Sequence, residues 1–415
     1  MPLPAMYLLF DCNNFFATCE QVFRPDWRKR PLVVLSNNDG CVIARSAEAK
    51  AEGIAMGEPY FKCRDRLERM HAVVCSGNFP LYTNLSERVM GILEAALPNV
   101  QQYSIDEAFS SVSDTRDWEP DGREIRKRIR RWTGITVSVG IAPTRTLAKL
   151  ANEHAKHHPE TRGVMVLTDP AVRQELLEHT PVEEIWGVGR RLAPRLKALG
   201  IRTAAALAET DLSLLRRHFG VHGERLALEL RGTSCLDEDT PPDRTQVMVT
   251  RTLKEGMTEL PPLRDALCRF VEKAGRSLRQ EGMMAGSLYV ILRTSRYETG
   301  DNLYINSEGV QLPAPSDDTR LFTHKATALL EKLYRPGFQY RKVGVLLADL
   351  TAADAVQPTF DHPDTVPSPL MGLLDKLHRA GHNVHFANHT GAAPWHHDHA
   401  TRNYTGDWQE LPELK

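Results

Sequence analysis

This chain is poor in the features that mark secreted, membrane and metal-ribbon proteins. Its seven cysteines (Cys12, Cys19, Cys41, Cys63, Cys75, Cys235 and Cys268) are odd in number and form no Cys-x-x-Cys pair. That pattern argues against a disulfide scaffold or a zinc ribbon and predicts thiols in a reducing cytoplasm. No long apolar run is present: the first one, Met6 to Phe10, is broken at Asp11 and has no basic stretch before it. Neither a signal peptide nor a membrane span is expected. Net charge is also missing, at −1, so any surface for nucleic acid must come from local charge. The chain has no internal repeat. Its 415 residues, 41% hydrophobic and 25% charged, fit a soluble globular protein. That length exceeds one ordinary core and predicts about two to four domains.

Strand and helix patterns alternate from Met6 to about Leu167. Strands are expected at 6–11, 32–35, 100–103, 108–112, 135–141 and 163–167. Helices are expected at 13–22, 45–52, 82–96, 122–132 and 145–156. The stretch from Arg24 to Gly77 reads as an insertion with turns and short helices. From Pro181 to Gly232 the pattern is purely helical, and Lys and Arg outnumber Asp and Glu by three. Cys235 to Asp243 reads as an exposed linker. Residues 246–350 form a second α/β unit, with a strand at 286–293, a helix at 319–333 and a strand at 341–347. Over 244–350 the basic excess is four. A second linker, 351–369, precedes a tail with a helix and little regular pattern after it. Eight of the sixteen histidines lie between His362 and His399. Without Cys-x-x-Cys or His-Glu-x-x-His spacing they predict a solvated tail rather than a zinc site.

The chemistry is carried by three carboxylates. Asp106 and Glu107 sit at the expected tip of a hairpin whose strands are 100–103 and 109–112, and Asp11 ends the first strand. Alone, an acidic hairpin tip is usually just a polar turn. Carboxylates at the ends of neighbouring strands repel unless a hard cation lies between them, and Mg²⁺ takes such oxygen ligands together with substrate phosphates. The set points to two-metal phosphoryl or nucleotidyl transfer. Phe15 and Phe16 follow at the start of a helix, where a ring could sit under an incoming sugar and clash with a ribose 2′-hydroxyl. The spacing does not choose between gate and core for either ring. On helix 145–156 Leu147, Leu150, Ala151 and His154 form one face, and Arg145, Lys149, Asn152 and Lys156 the other. Such a basic face is commonly just solvated, but here it follows a strand of the same sheet and could reach a triphosphate. Trp186-Gly187-Val188-Gly189-Arg190-Arg191 joins two helical segments. A glycine hairpin there exposes backbone N–H groups that bind DNA phosphate without reading sequence. Phe219-Gly220-Val221-His222-Gly223 resembles a weaker second copy.

Asp11-Cys12-Asn13-Asn14-Phe15-Phe16, Ser104-Ile105-Asp106-Glu107-Ala108, and the Thr136–Ala142 strand with its basic helix resemble the Y-family translesion DNA polymerases. Cys19-Glu20, the stretch Val33 to Arg45, and Trp186 to Arg191 resemble more closely the UmuC-type catalytic subunit of bacterial DNA polymerase V. The likeness covers nearly the whole chain. It implies an α/β multidomain right-hand polymerase. The parts would be a ferredoxin-like palm (1–23 and 80–170), small fingers (24–79), a helical thumb with a helix-hairpin-helix (171–235), a linker (236–245), an α/β little finger (246–350), a second linker (351–369) and a C-terminal partner-binding extension (370–415). It implies two Mg²⁺ per active site, with Mn²⁺ as a substitute, held by Asp11, Asp106, Glu107 and the backbone carbonyl of Cys12. It places the sugar gate at Phe16, with Phe15 beside it, and a triphosphate contact at Lys156. Relatives outside this branch carry tyrosine and arginine at the positions of Ala47 and Lys50; here Lys50 and Arg45 supply the charge. Gly187, Gly189, Arg190 and Arg191 would contact DNA. Implied partners are primer–template DNA and dNTP, a processed UmuD-type dimer, a RecA-type recombinase filament, and a sliding clamp through the incomplete motif Gln357-Pro358-Thr359-Phe360. Pro369-Leu370-Met371 and Tyr404-Thr405 before Trp408 resemble the UmuD-engaging extension.

The expected function is error-prone, template-directed synthesis past damaged bases in the SOS DNA damage response. The expected location is the cytoplasm, on the nucleoid. Small fingers leave few closing contacts on the nascent pair and so weak discrimination by shape, and the chain has no room for a proofreading domain. A nucleotide cyclase on the same kind of sheet is a rival, against which the arginine-rich middle argues. A DNA-binding scaffold with little intrinsic activity is another, against which the intact carboxylates argue.

Overall fold

The computed structural model describes residues 6–113, 116–236, 244–295, 297–356, 368–382, 384–386, 397–406 and 408–411. They divide into two compact units, one of residues 1–35, 41–240 and 399–415, the other of 36–40 and 241–398.

In the first unit β1 (Met6–Cys12) leads into α1 (Phe15–Phe23). The sharp change of direction is made by Asn14, whose left-handed φ of 51° suits an asparagine. An inserted sheet follows: β2 (Leu32–Leu35), β3 (Val42–Arg45), the short helices α2 (Ala47–Ala51) and α3 (Tyr60–Arg69), and β4 (Val73–Ser76). Its strand order is β3-β2-β4. The sequence pattern had shown only the first of these strands.

The main sheet is completed by α4 (Phe79–Ala96), β5 (Val100–Gln102), β6 (Glu107–Val112), α5 (Glu119–Thr133), β7 (Val137–Ala142), α6 (Arg145–His157) and β8 (Val164–Val166). The order is β5-β6-β1-β7-β8, antiparallel except for β7 against β8. Every residue of β1 is buried, which is how a strand covered on both faces reads. Its side chains alternate between two cores. Met6, Leu8 and Phe10 join α4 and α5 residues, whereas Tyr7 and Leu9 join Leu147 and Leu150 of α6. By the same parity Asp11 faces α6.

Helix α6 lies close on β7 because Gly140 has no side chain. A β-carbon there would collide with the Ala148 carbonyl oxygen and press on the Asn152 backbone. Gly140→Ala is therefore expected to cost more than about 3 kcal/mol in denaturant unfolding, as overpacking against backbone does. A helical array follows: α7 (Pro170–His179), α8 (Leu192–Ala198), α9 (Ala204–Glu209) and α10 (Leu212–Arg231). It shares the core of the α6 face. The expected helical pattern of 181–232 is thus observed, with a non-helical Gly220 inside α10 at the second glycine motif.

The second unit runs β9 (Gln246–Met257), α11 (Leu260–Gln280), β10 (Met283–Arg293), β11 (Ile305–Ser316), α12 (Thr319–Leu333), β12 (Tyr340–Ala352) and α13 (Pro369–Arg379). The sheet order is β11-β10-β12-β9. Val247, Val249, Leu288, Val290, Val343 and Val345 pack under α11 and α12. The opposite sheet face is open, with Met248 and Tyr289 exposed and Arg293 paired in register with Lys342. Of the described part of the tail, α13 docks on α11: Arg279 grips Asp375 with Nε and a terminal nitrogen at 2.7 and 2.9 Å.

Among the described tail histidines His382, His385 and His397 are exposed, as expected, while His378 and His399 are partly buried and the segments carrying them are docked. His378 meets Arg276 and His385 meets Glu272, while in the first unit the Ser76 amide donates to the His399 carbonyl and the His399 amide donates to the Ser76 hydroxyl. Burial of polar tail groups requires such partners. Thr401 reaches Glu20 and Tyr404 stacks on Phe23. Glu20 is fully buried, and burial pushes its carboxyl from 4.5 up to about 7, against the opposing hydrogen bonds from Tyr82 and Thr401. The folded state thus binds this proton more tightly than the unfolded chain. Its contribution is full below about pH 4.5 and is lost as pH rises to about 7, a change of about 3 kcal/mol. Glu20→Gln should remove that part of the slope, read as the difference between wild-type and variant unfolding free energies at about pH 5 and about pH 8.

Candidate active site

Strand pairing assembles the site. Asp11 and Glu107 are direct partners across the antiparallel β1–β6 ladder, so both side chains lie on the α6 side of the sheet. Glu107 is therefore the first residue of a strand and not part of the hairpin tip. Asp106 occupies the adjoining turn. Its carbonyl accepts from Cys12 N at 2.9 Å, which ties the turn to the end of β1. The Ser104 hydroxyl donates to Asp106 Oδ1 at 2.5 Å and accepts from the Asp106 amide at 3.2 Å, which shapes the turn. The three carboxylates do not form one group with all ligand oxygens within 4.8 Å; Asp11 and Glu107 are the pair in contact.

The basic face of α6 is turned onto this sheet rather than to solvent. Lys156 Nζ donates to Asp11 Oδ2 at 2.9 Å and to Glu153 at 3.2 Å. Lys149 Nζ donates to both Glu107 oxygens at 3.2 and 3.0 Å. Asn152 is buried and donates to the Ser138 and Leu9 carbonyls. Arg145, also buried, donates to Gln101 Oε1 at 2.6 Å. Burial pushes the Asp11 carboxyl up to about 7, its hydrogen bond with Glu107 adds to the rise, and Lys156 opposes it. Glu107 is held below the usual carboxylate range: burial works against this, but the Asp11 hydrogen bond and Lys149 prevail. Two carboxylates in contact, each paired with a lysine, form an all-oxygen donor set. With Asp106 in the adjoining turn, tied to Cys12 at the end of β1, these residues fit a hard divalent cation.

Phe15 is buried in the core, 3% exposed. Phe16 is partly buried, its ring stacked on Tyr82 at 4.5 Å and 15°. Lys50 has its pKa lowered by burial and by the nearby charges of Arg45 and Lys156, so these three cations share one locality. Arg45 also donates to the Ile54 carbonyl at 2.7 Å. Gly187, Gly189, Arg190 and Arg191 are exposed on their hairpin, with Gly187 at φ 92°. Gln357–Phe360, the clamp-like motif, lies outside the described residues.

One contributor was missed. Trp186, read only as part of the glycine hairpin, stands edge-on to Tyr103 at 5.5 Å and 6.1 Å from Phe109. Lys149 Nζ lies 5.1 Å from the Trp186 ring and 4.9 Å from Tyr103. Cation–π contact on two rings holds this lysine over Glu107. Only the presence of an aromatic beside each glycine or acidic motif could have hinted at it.

Sequence models of the impB/mucB/samB family match residues 10–153 and, for its C-terminal domain, 244–360; the family's helix-hairpin-helix motif matches 170–201. Protein ImpB of Salmonella typhimurium is 41% identical over 98% of this chain and 99% of its own length. The chain belongs to the impB/mucB/samB family. Another of its relatives is Protein UmuC of Salmonella typhimurium, 43% identical over 90% of both chains. DNA polymerase IV of Brucella melitensis is 29% identical over 86% of this chain and 77% of its own. Among solved structures, the Y-family DNA polymerase chimera Dbh-Dpo4(243-245)-Dbh aligns with a TM-score of 0.67 at 24% identity, covering 83% of this chain and 98% of that one. An insertion ternary complex of Dbh DNA polymerase gives a TM-score of 0.53 over the same shares. This impB/mucB/samB protein therefore has the Y-family polymerase fold. None of its described helices is long and apolar enough to cross a membrane.

Proposed function

We propose that this protein is a DNA-directed DNA polymerase that extends a primer 3′-hydroxyl with dNTP, releases pyrophosphate, and copies past damaged bases in the SOS response. The observation that carries the reading is the pairing of Asp11 with Glu107 across adjacent strands, beside Asp106 and beneath two lysines of α6. The names of the relatives support it: one is a UmuC protein and another a DNA polymerase IV. In this reading residues 1–23 and 80–170 are the palm, 24–79 the fingers, 171–235 the thumb, 246–350 the little finger and 370–415 a partner-binding extension.

Asp11, Asp106, Glu107 and the Cys12 carbonyl would hold two divalent ions, Mg²⁺ or in its place Mn²⁺. When bound, these ions lower the pKa of the primer hydroxyl and offset the charge of the triphosphate and leaving pyrophosphate. Lys156 exchanges Asp11 for triphosphate oxygens, with Lys50 and Arg45 beside it as further positive charge. Phe16 packs under the deoxyribose and clashes with a 2′-hydroxyl. The exposed Gly187–Gly189 backbone with Arg190 and Arg191 holds template–primer phosphate, and the open sheet face with Arg293 and Lys342 offers a second phosphate surface. Binding of this kind falls steeply with salt. The small inserted sheet of the fingers supports weak shape discrimination, hence error-prone copying. Likeness to UmuC motivates a processed UmuD-type dimer and a RecA-type filament as partners, a sliding clamp as a further one, and work on the nucleoid in the cytoplasm.

The test is primer extension across an abasic template site with Mg²⁺, with and without a processed UmuD-type dimer and an activated recombinase filament. Synthesis past the site in either condition is the expected result. DNA binding with no extension under any condition would favour a scaffold subunit instead.

A further inference from the structure

The ring read above as the sugar gate is not held by its own helix alone. Phe16 stacks on Tyr82 of α4 at 4.5 Å, and Phe79, also on α4, stands edge-on to both rings at 5.9 Å. Tyr82 in turn donates its hydroxyl to Glu20 Oε1 at 2.7 Å. Glu20 lies one helical turn beyond Phe16 on α1, so this bond closes a loop between the two helices that carry the gate and its backing ring. The same Glu20 oxygen accepts a second hydrogen bond, at 3.1 Å, from the Thr401 hydroxyl of the C-terminal segment. The other oxygen, Oε2, is buried and has no hydrogen-bond partner among the described residues.

The tail makes further contacts with both helices. Asn78, the N-cap of α4, donates to the Thr401 hydroxyl and to the Arg402 carbonyl, each at 3.0 Å. Tyr404 stacks on Phe23, the last residue of α1, at 4.9 Å and 5°. His399 and Ser76 exchange bonds just before α4, at 2.8 and 3.1 Å. The segment from His399 to Tyr404 therefore touches the start of α4, the end of α1 and the buried carboxyl that joins them.

We propose that Tyr82, Glu20 and Thr401 are positioning residues for the gate, so that the docked C-terminal segment sets how strictly this protein excludes ribonucleotides. This rests on the reading of Phe16 as the sugar gate. The packed Phe16 ring is held only as firmly as the ring that backs it, and the Tyr82 hydroxyl bond fixes where that backing ring stands. Loss of Thr401 leaves Glu20 with one donor in a buried setting, where an unsatisfied carboxyl is costly and pulls its remaining partner with it. The predicted outcome is a gate with more room at C2′, with chemistry on dNTP unaltered.

The experiment measures kcat/KM for one dNTP and the matching rNTP on a primer–template, with the full-length chain and any partner that its activity requires. The variants are Thr401→Val, which keeps the shape and removes the hydroxyl, Thr401→Ser, which restores it, Tyr82→Phe, and Phe16→Ala. Thr401→Val and Tyr82→Phe are each expected to lower the dNTP/rNTP ratio roughly three- to tenfold, the scale of one buried hydrogen bond. The loss should come mainly from faster rNTP insertion, Thr401→Ser should recover the ratio, and Tyr82→Phe should add little in the Phe16→Ala background. Equal losses for dNTP and rNTP would assign these residues to stability alone and overturn the proposal. So would an unchanged ratio in both hydroxyl variants while Phe16→Ala shifts it, a result that leaves the gate itself standing. An unchanged ratio in Phe16→Ala would overturn the gate reading and the proposal together. If Thr401→Val fails to fold, Asn78→Ala, which removes the α4 bonds to Thr401 and Arg402, takes its place for the tail, with the same ratio expected to fall and an unchanged ratio overturning the proposal.

Discussion

Asp106→Ala is expected to abolish nucleotide insertion while leaving fold and DNA binding intact. Asp106 stands in a turn, and its main chain makes the bond that ties the turn to β1, through its carbonyl to Cys12 N. Alanine keeps that carbonyl. What it removes is the carboxylate, whose one protein contact of note is the Ser104 hydroxyl. In the proposed reading that carboxylate is an oxygen ligand of a metal ion that would offset transition-state charge, and its loss should cost on the order of 10³-fold or more in kcat/KM. Glu107→Ala should do likewise, but there the Lys149 ammonium loses its partner while still lying against Trp186 and Tyr103. A modest drop in unfolding temperature should accompany that variant and not Asp106→Ala. Residual activity within tenfold of wild type in both would remove the carboxylates from the chemistry.

Phe16→Ala is expected to have the second largest effect, on choice of sugar rather than on rate. The ring is packed between Tyr82, Phe79 and Phe15, with centroids at 4.5, 5.9 and 5.7 Å, so it cannot swing away from an extra hydroxyl without disturbing three neighbours. A clash against packed groups costs about 1–3 kcal/mol, so truncation should raise relative rNTP insertion by about 10- to 200-fold. The variant should stay folded, because Phe15 and not Phe16 is the fully packed ring. Phe15→Ala should therefore show the reverse pattern, with a loss of about 3–5 kcal/mol of stability and little specific effect on sugar choice. Competitive insertion of dNTP and rNTP opposite one template base reads both effects.

Much of this site was legible in the sequence because it is local. The run Met6–Phe10 before Asp11, the acidic hairpin and the amphipathic helix 145–156 each carry their own periodicity, and the structure has an element at each place. Their mutual register was not legible. That Glu107 faces Asp11 across a ladder follows from pairing of strands whose partners lie 96 positions apart in the chain, and the same pairing turns the basic helix face inward. Elements that were missed had physical reasons. Strand β11 contains Pro313 and Pro315 and is tolerated only because it is an edge strand. Helix α11 begins Leu260-Pro261-Pro262, a run that reads as a turn although prolines fit the first helical turn. Strand β9 breaks its own alternation, with the apolar Met248 on the open face and the charged Arg251 at the parity of buried Val247, Val249 and Leu253. The Glu20–Thr401 contact joins residues 381 positions apart and has no local signature at all.

The proposed activity is template-directed nucleotidyl transfer at Asp11, Asp106 and Glu107. It is tested most directly by single-nucleotide insertion on an undamaged primer–template, with each of the four dNTPs supplied alone and Mg²⁺ present, and with whatever partner proteins stimulate the chain. The complementary dNTP is expected to be inserted fastest on each of four templates, with pyrophosphate released in equal amount and nothing inserted by Asp106→Ala. Insertion that ignores the template base, or DNA binding without insertion of any nucleotide, would contradict it.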